Sequence, residues 1–194
     1  MGERFQGGRL AAQAIAAEGV DTIFTLSGGH VMPIYEGCRL EGVRVVDVRH
    51  EQAAAHAAEA WGRINRACGV ALATAGPGVT GTVTAVANCF AAQTPLVVLG
   101  GARPLVQAEQ GALQEFDQLS VFKPITKWAA TCTHADRAAD HVATAVSVPV
   151  TPGPAVASAT PQVRLMRPQA SAAWPAACSC RTSSTRTPSR RQPS

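Results

Sequence analysis

The feature that most constrains this fold is a regular alternation of short apolar runs and helical stretches over the first 146 residues. Four of the apolar runs are rich in Val, Ile and Leu, as buried strands are, and lie at 20–26, 43–48, 69–74 and 95–101. A further strand is expected at 127–132, which is rich in Ala instead. Helical patterns lie between them, at 8–19, 31–40, 51–66, 79–93, 114–122 and 134–146. Nearly apolar strands that alternate with helices form a parallel sheet covered on both faces. The sequence therefore predicts an α/β fold in three layers, with helices on both faces of a parallel sheet.

Glu51 lies where a predicted strand ends and a predicted helix begins. The run 43–48 indicates a short buried strand, and the Ala-rich run after it is typical of a helix. Ligand sites of open α/β sheets lie at the carboxyl ends of the strands. A carboxylate in the first turn also interacts favourably with the helix dipole, as a plain surface residue can. This stretch alone leaves both interpretations of Glu51 open.

Charge is distributed unevenly along the chain. The formal net charge is +4, but residues 147–194 hold six Arg and no Asp, Glu or Lys, so the first 146 residues are mildly acidic. No basic patch for nucleic acid is expected in that part. The chain has no run of 18 apolar residues for a membrane span and no signal-peptide pattern at its start. We expect a cytoplasmic protein that contacts neither nucleic acid nor membrane.

The composition changes near Ser147. The segment 147–194 holds eight of the 13 Pro and eight Ser, but no Ile, Phe, Tyr, Asp or Glu. It has no periodic apolar pattern, which predicts a disordered tail after a domain at 1–146. A second hypothesis is that this Ala-, Arg- and Pro-rich segment is a GC-rich gene read out of frame. Reading the two adjacent frames of the gene tests it, because neither should continue a domain if the tail is genuine.

Four familiar kinds of site are disfavoured. The six Cys form no C-x-x-C pair, so we expect buried or inert thiols and no metal site. Gly76–Gly81 fits the dinucleotide pattern G-x-G-x-x-G, but it lies in the third strand–helix unit and lacks an acidic residue about 20 positions on. A glycine-rich turn, or a contact with another cofactor, explains it better. No P-loop and no G-x-S-x-G motif occurs.

Other polar residues follow predicted strands. His30 comes after two glycines, and Gln114, Glu115 and Asp117 lie ahead of a predicted helix. Each could be a helix cap or a surface residue. Because the loops after parallel strands meet at one edge of the sheet, we expect these residues to lie near Glu51.

Six segments form an ordered set over roughly residues 8–146. They are Ser27–His30, Arg49–Glu51 with its Ala-rich helix, Ala75–Gly78, Pro95–Gly101, Leu113–Asp117 and Lys123–Lys127. In this order they resemble the amino-terminal, pyrimidine-binding domain of thiamine-diphosphate-dependent enzymes of the acetolactate synthase group. The resemblance implies the thiamine-diphosphate-binding fold. The Gly-Gly-His form at 28–30 is also similar to that of 2-hydroxyacyl-CoA lyases, so the substrate stays open.

The resemblance implies a role for each candidate site residue. Glu51 would be catalytic: it would hydrogen-bond N1′ of the aminopyrimidine and favour the tautomer whose 4′-nitrogen removes the thiazolium C2 proton. The turn Gly76-Pro77-Gly78 would lie near the cofactor, and His30 and Gln114 would face the substrate. The small residues of the same helix would permit close helix approach, which in this family builds a dimer; they are Ala54, Ala55, Ala58 and Gly62.

The family binds Mg²⁺ and the diphosphate through a second domain, with a Gly-Asp-Gly motif that this chain lacks. The strand that ends in Glu-x-Pro after the last helix is also lacking, with only a faint trace at 153–156. We therefore expect half a site, which holds the pyrimidine end only and is inactive alone. The whole enzyme would act on a 2-oxo acid or acyl substrate, as an acetolactate synthase or a 2-hydroxyacyl-CoA lyase.

Two rival functions remain at this stage. The chain could be a non-catalytic domain that pairs with a full-length relative instead of forming a homodimer. It could also be a nicotinamide-dependent oxidoreductase that uses the Gly76 turn, which NADH fluorescence would reveal.

Overall fold

The computed structural model describes residues 7–148 and 155–159. In this part of the chain the helices are α1 (Gly7–Ala17), α2 (Met32–Leu40), α3 (Glu51–Asn65), α4 (Pro77–Gly81), α5 (Val83–Ala92), α6 (Gln118–Phe122) and α7 (Ala138–Ser147). The strands are β1 (Thr22–Thr25), β2 (Arg44–Asp47), β3 (Gly69–Ala73), β4 (Leu96–Gly101), β5 (Trp128–Cys132) and β6 (Ala155–Ala159). Short 3₁₀ turns lie at Leu105–Gln107, Lys123–Ile125 and Ala135–Arg137.

The described strands form one six-stranded sheet in the order β2-β1-β3-β4-β6-β5, and every neighbouring pair is parallel. In its register, Phe24 lies beside Val46 on one side and Ala71 on the other. The order reverses direction at β1, because β2 lies on one side of β1 and the next strand along the chain, β3, lies on the other side. The predicted α/β fold is confirmed.

Alternate strand residues supply two apolar cores, one on each face of the sheet. On one face, Val70 and Leu72 pack with residues of α1, α2 and α7. On the other face, Ala71 and Ala73 pack with residues of α3, α4, α5 and α6. A strand buried on both faces must be apolar at every position, which is why β3 and β4 have no alternating pattern.

The small residues of α3 have another use than the one we expected. Ala54, Ala55 and Ala58 are fully buried within the chain, against a sheet face that is itself lined by Ala71 and Ala73. A methyl group at Gly62 would lie 2.9 Å from the Ala67 carbonyl oxygen and 3.0 Å from that of Pro95. This face of α3 is covered by other parts of the same chain, so it does not offer a free surface to a helix of another subunit.

β2 is not the buried strand that the sequence predicted. It lies at the edge of the sheet, where Arg44 and Asp47 are exposed and Val45 and Val46 only half-buried. A β-branched run indicates a strand but does not reveal how many neighbours it has. Charged residues at both ends of an edge strand disfavour pairing with another chain.

β6 corrects the expectation that no ordered strand follows α7. Residues 155–159, which we assigned to the tail, pair with β4 on one side and β5 on the other. Backbone pairing requires no particular side-chain pattern, so the composition of this segment did not reveal it. The ordered domain therefore extends beyond residue 146. The rest of the predicted tail lies outside the described residues.

Two predicted helices have other limits. The helix predicted to run through Gln93 is divided at Thr82, whose buried hydroxyl donates to the Val79 carbonyl at 2.7 Å. The helix predicted from Gln114 begins only at Gln118, with Asp117 as its cap. Gln114 has φ 62°, which is incompatible with a right-handed helix.

The described thiols are those of inert cysteines, as expected. Burial raises the pKa of Cys38, Cys68 and Cys89 to about 12, so the reactive thiolate is negligible near neutral pH. Cys178 and Cys180 lie outside the described residues. Within the described ranges no helix has the length and apolar character that crossing a bilayer requires.

Candidate functional site

The loops that follow the first four strands leave the sheet at its carboxyl edge. The strand order reverses at β1, and the loops beside such a reversal are the usual place for a ligand in an open parallel sheet. Each predicted site residue lies in one of these four loops or at the helix start that follows: His30 after β1, Glu51 after β2, Gly76-Pro77-Gly78 after β3 and Gln114 after β4.

Glu51 is the first residue of α3 and is only 7% exposed. The residue before it, His50, caps the helix, because the backbone N–H of Gln52 donates to His50 Nδ1 at 3.1 Å. Among the described residues the Glu51 carboxylate forms no hydrogen bond and no ion pair. Its oxygens are not among the side-chain atoms that are shut off from solvent without a partner, so water reaches the carboxylate at this edge and a ligand could take the place of that water.

A second buried carboxylate in the same helix shows what a structural acid looks like. Glu59 is 5% exposed, accepts hydrogen bonds from Arg63 Nη2 at 2.6 Å and Asn88 Nδ2 at 2.5 Å, and lies 3.2 Å from His56 Nδ1. These bonds tie α3 to α5. Glu59 is satisfied within the fold, whereas Glu51 has no hydrogen-bond or ion-pair partner among the described side chains.

The turn after β3 lies directly against Glu51. A methyl group at Gly78 would collide with Glu51 Oε1 and would lie 2.9 Å from its Cδ, so a larger residue here would push the Glu51 carboxylate aside. Gly76 has φ 63° and ψ −119°, a conformation that other residues rarely adopt. Pro77 then occupies the first turn of α4, where a missing N–H costs nothing.

Gln114 contacts the same turn from the other side. Its Cβ would lie 2.5 Å from a methyl group at Gly76. Gln114 is exposed and has a left-handed backbone, with φ 62°. A cavity of about 330 Å³ opens beside it and is lined by Ala102, Arg103, Gln114, Glu115, Phe116, Asp117, Gln118, Leu119 and Thr131.

His30 joins the site through Thr74. His30 Nδ1 lies 3.4 Å from Thr74 Oγ1, and Thr74 Cγ2 would lie 3.1 Å from a methyl group at Gly78. Thr74 therefore links the loop after β1 to the turn after β3. Our sequence reasoning did not single out Thr74, although its place between a buried strand and a glycine-rich turn was a usable signal.

Tyr35 is another polar residue that we did not predict at this edge. Its hydroxyl donates to Thr25 Oγ1 at 2.8 Å, at the carboxyl end of β1. Burial raises the pKa of Tyr35, so its hydroxyl stays protonated near neutral pH. Tyr35 lies on α2, and nothing in the local sequence indicated that it would reach back to β1.

All predicted site residues thus lie along one edge, and contacts connect them. Glu51 meets Gly78, Gly76 meets Gln114, and Thr74 links the turn to His30. Within residues 7–148 and 155–159, no group of three or more His, Cys, Asp or Glu side chains could hold a metal ion. The edge offers one carboxylate without a protein partner in the described part of the chain, beside a turn in which Pro77 is exposed and Gly76 and Gly78 are buried.

Comparisons with known proteins agree with this arrangement. Residues 5–121 match the family model described as the N-terminal thiamine pyrophosphate (TPP) binding domain of thiamine pyrophosphate enzymes. A probable acetolactate synthase of Mycobacterium bovis and the acetolactate synthase large subunit IlvG of Mycobacterium tuberculosis are each 48% identical over 136 residues, 70% of this chain and 25% of theirs.

A second group of relatives is named for another activity. Human 2-hydroxyacyl-CoA lyase 2 is 46% identical over 153 residues, which are 76% of this chain and 24% of that protein. The chain spans about a quarter of the length of the curated relatives it matches. With a family model matched over more than half of its residues, this chain belongs to the thiamine pyrophosphate enzymes and contains their N-terminal TPP-binding domain.

Proposed function

We propose that the edge around Glu51 binds the aminopyrimidine ring of thiamine diphosphate, with the Glu51 carboxyl group hydrogen-bonded to ring nitrogen N1′. The observation that carries this proposal is the Glu51 carboxylate, which lies against Gly78 at the carboxyl edge of the sheet and has no hydrogen-bond or ion-pair partner in the described part of the chain. A planar nitrogen heterocycle is a fitting partner, because a ring nitrogen can share a proton with a carboxyl group.

Each residue at this edge receives one task in the proposal. Glu51 holds or releases a proton at N1′, and Gly78 keeps the space in front of its carboxylate free. The Gly76-Pro77-Gly78 backbone lies along the ring, while His30 and Gln114 face the substrate. Thiamine diphosphate, when bound, supplies a thiazolium carbon that attacks a carbonyl group and acts as an electron sink.

The proposed reaction of the whole enzyme is carboligation or decarboxylation of 2-oxo acids. The relatives named acetolactate synthases support it. A lyase that cleaves a C–C bond in a 2-hydroxyacyl-CoA is the second candidate, supported by a relative that aligns over a longer stretch of this chain. Our chain's residues at the Glu51 edge serve either reaction, because both need the same cofactor activation.

A complete site would need groups that we do not assign to this chain. Mg²⁺ and the diphosphate require hard oxygen ligands, and the sequence holds no Gly-Asp-Gly motif. We propose that these come from a second domain, in a homodimer or from a full-length relative with which this domain pairs. Alone, the 194-residue chain would bind the pyrimidine end and show no turnover. A purely non-catalytic partner domain would behave identically until the relative is supplied.

Isothermal titration of the chain with thiamine and with thiamine diphosphate tests the proposal. Replacing Glu51→Gln should weaken binding of both by about tenfold or more, because hydrogen bonds to charged groups contribute about 1.5–3 kcal/mol. Glu36→Gln, which removes an exposed carboxylate on α2, is the matched control and should leave the affinity unchanged. Equal affinities of wild type and Glu51→Gln would overturn the proposal, as would binding of NADH in place of thiamine.

A further inference from the structure

The segment between β4 and α6 contains an unusual concentration of left-handed backbone. Glu109, Gly111 and Gln114 have φ values of 61°, 66° and 62°. Two of them are not glycine, and each such residue costs roughly 1–2 kcal/mol. Strained positions persist only where the surroundings hold them, and they are concentrated at binding and catalytic sites. Something must therefore hold this loop in place.

The Glu115 carboxylate is the group that does so. Its Oε1 accepts hydrogen bonds from Arg103 Nε and from the backbone N–H of Glu109, the latter at 3.0 Å. Its Oε2 accepts from the N–H of Ala112 at 3.2 Å. One carboxylate thus joins the beginning of the loop, at Arg103, to its middle.

Gln114 lies between Glu115 and the Gly76-Pro77-Gly78 turn. On one side it is bonded to Glu115, whose own N–H donates to the Ala112 carbonyl at 3.0 Å. On the other side its Cβ contacts Gly76 so closely that a methyl group there would lie 2.5 Å away. The position of the Gln114 side chain therefore depends on how firmly Glu115 holds the loop.

We propose that Glu115 is a positioning residue, which uses its bonds to Arg103 and to two loop amides to fix Gln114 against the Gly76 turn, at the mouth of the 330 Å³ cavity. The proposal rests on the proposed function, since Gln114 faces substrate only if the Glu51 edge binds the cofactor. Neither the family match nor the named relatives assign a role to Glu115.

This role can be separated from a purely structural one. Glu115 belongs to neither apolar core, and its carboxylate accepts hydrogen bonds from Arg103, Glu109 and Ala112, which all lie in the same loop. Removing its charge should release the loop and leave the rest of the domain folded. If Glu115 merely supported the fold, its substitution would instead lower the free energy of unfolding and the amide-exchange protection of the whole domain.

The variant Glu115→Gln, made in the whole 194-residue chain, tests this. Glu109→Gln is the matched control, because it removes a neighbouring carboxylate whose side chain has no hydrogen bond in the described residues. In Glu115→Gln we expect amide-exchange protection at Glu109 and Ala112 to fall about tenfold or more, with the thermal midpoint changed by less than about 2 °C. The nuclear Overhauser contact between Gln114 Hβ and Gly76 Hα should disappear.

A double-mutant cycle and a ligand titration complete the test. Because Arg103→Gln breaks the same contact, combining it with Glu115→Gln should add little further loss of protection. In the wild type, thiamine diphosphate should shift the Gln114 side-chain amide signal, and in Glu115→Gln that shift should be lost.

Four results would overturn the proposal. Three are unchanged amide-exchange protection in Glu115→Gln, a persistent Gln114–Gly76 contact in that variant, and a loss of protection that extends over both cores. The fourth is a normal shift of the Gln114 side-chain amide signal by thiamine diphosphate in that variant. If the wild type shows no response to thiamine diphosphate, the proposed function fails, while protection and the Gln114–Gly76 contact still decide whether Glu115 positions Gln114.

Discussion

At the scale of single residues, Glu51 and Glu59 are two acids of one helix with different surroundings. Glu59 is held by three polar side chains. Glu51 has no hydrogen-bond partner in the described part of the chain, and its oxygens are not among the atoms that are shut off from solvent without a partner. The helix dipole stabilises a carboxylate in this first turn by about 0.3–1 kcal/mol. The free chain therefore tolerates Glu51 without a ligand.

Glu51→Gln should lower the stability of the domain only slightly when no ligand is present. We expect the free energy of unfolding in urea to fall by about 0.3–1 kcal/mol, because the amide loses the interaction of a carboxylate with the helix dipole. Glu59→Gln is the control within the same helix, and it should lower stability by about 1–3 kcal/mol because Arg63 and Asn88 lose a charged acceptor. A loss in Glu51→Gln as large as that in Glu59→Gln would mean that the Glu51 carboxylate has a partner in the free chain.

Gly78→Ala should be destabilising by about 1 kcal/mol, the low end of what overpacking costs, because the Glu51 carboxylate can move away from the added methyl group while Thr74 has to give way. Gly29→Ala is the matched control, since no heavy atom lies within 4 Å of a methyl group there. Thermal unfolding of the two variants measures the difference. Equal midpoints would contradict the close approach between the turn and Glu51.

The Glu115 loop should depend on pH in the acidic range. The Arg103 side chain, together with the loop amides, holds the pKa of Glu115 below its ordinary value of 4.5. A carboxyl group with a lowered pKa stabilises the folded loop above 4.5 and ceases to do so as the pH falls through the folded value. The carboxyl carbon signal of Glu115 should titrate below 4.5 in the wild type and closer to it in Arg103→Gln. The same midpoint in both proteins would exclude Arg103 as the cause.

At the scale of elements, α3 both presents Glu51 and closes one face of the sheet. Its Ala54, Ala55 and Ala58 contact a sheet face that Ala71 and Ala73 keep shallow. Small residues on both surfaces bring the helix axis close to the strands. The same close packing places the first turn of α3 beside the Gly76-Pro77-Gly78 turn, so site geometry and core packing are coupled.

Ala58→Val should lower the free energy of unfolding by about 1–3 kcal/mol, because two added methyl groups have no space between α3 and β3. Ala60→Val, on the exposed face of the same helix, should cost no more than the difference in helix propensity, below about 0.7 kcal/mol. Chemical denaturation of both variants compares them. Similar losses would indicate that helix propensity and not packing sets the cost.

At the scale of the whole molecule, the sheet is completed by a strand from beyond the compositional change. β6 lies between β4 and β5, so β5 is attached to the sheet only through it. Without β6 the interior edge of β4 would lack a partner, and unpaired edges promote aggregation.

Two truncated chains test the importance of β6. A chain that ends after residue 159 should keep the stability of the 194-residue protein, while one that ends after residue 147 should lose several kcal/mol or aggregate. Each lost backbone hydrogen bond contributes about 0.5–1.5 kcal/mol net, and two ladders are lost together. Thermal unfolding and light scattering measure the two outcomes. Equal behaviour of the two chains would show that β6 adds nothing to the fold.

The sequence by itself determined the fold class, the approximate positions of β1 to β5, and the edge of the sheet on which Glu51, His30, Gln114 and the Gly76 turn lie. These follow from local patterns, because strand and helix periods, glycine turns and the direction of parallel strands are each encoded over a few residues. Reasoning from the same patterns located the candidate site before any contact was known.

Only the tertiary structure decided which surfaces meet. The edge position of β2, the insertion of β6, the burial of the α3 alanines and the link through Thr74 all depend on segments far apart in the chain. The unpaired state of Glu51 and the anchoring by Glu115 likewise depend on which polar groups approach, and on which do not. A linear pattern records the chemistry of a side chain but not its neighbours, and here the neighbours separate Glu59, which three polar side chains hold, from Glu51, which none of the described side chains holds.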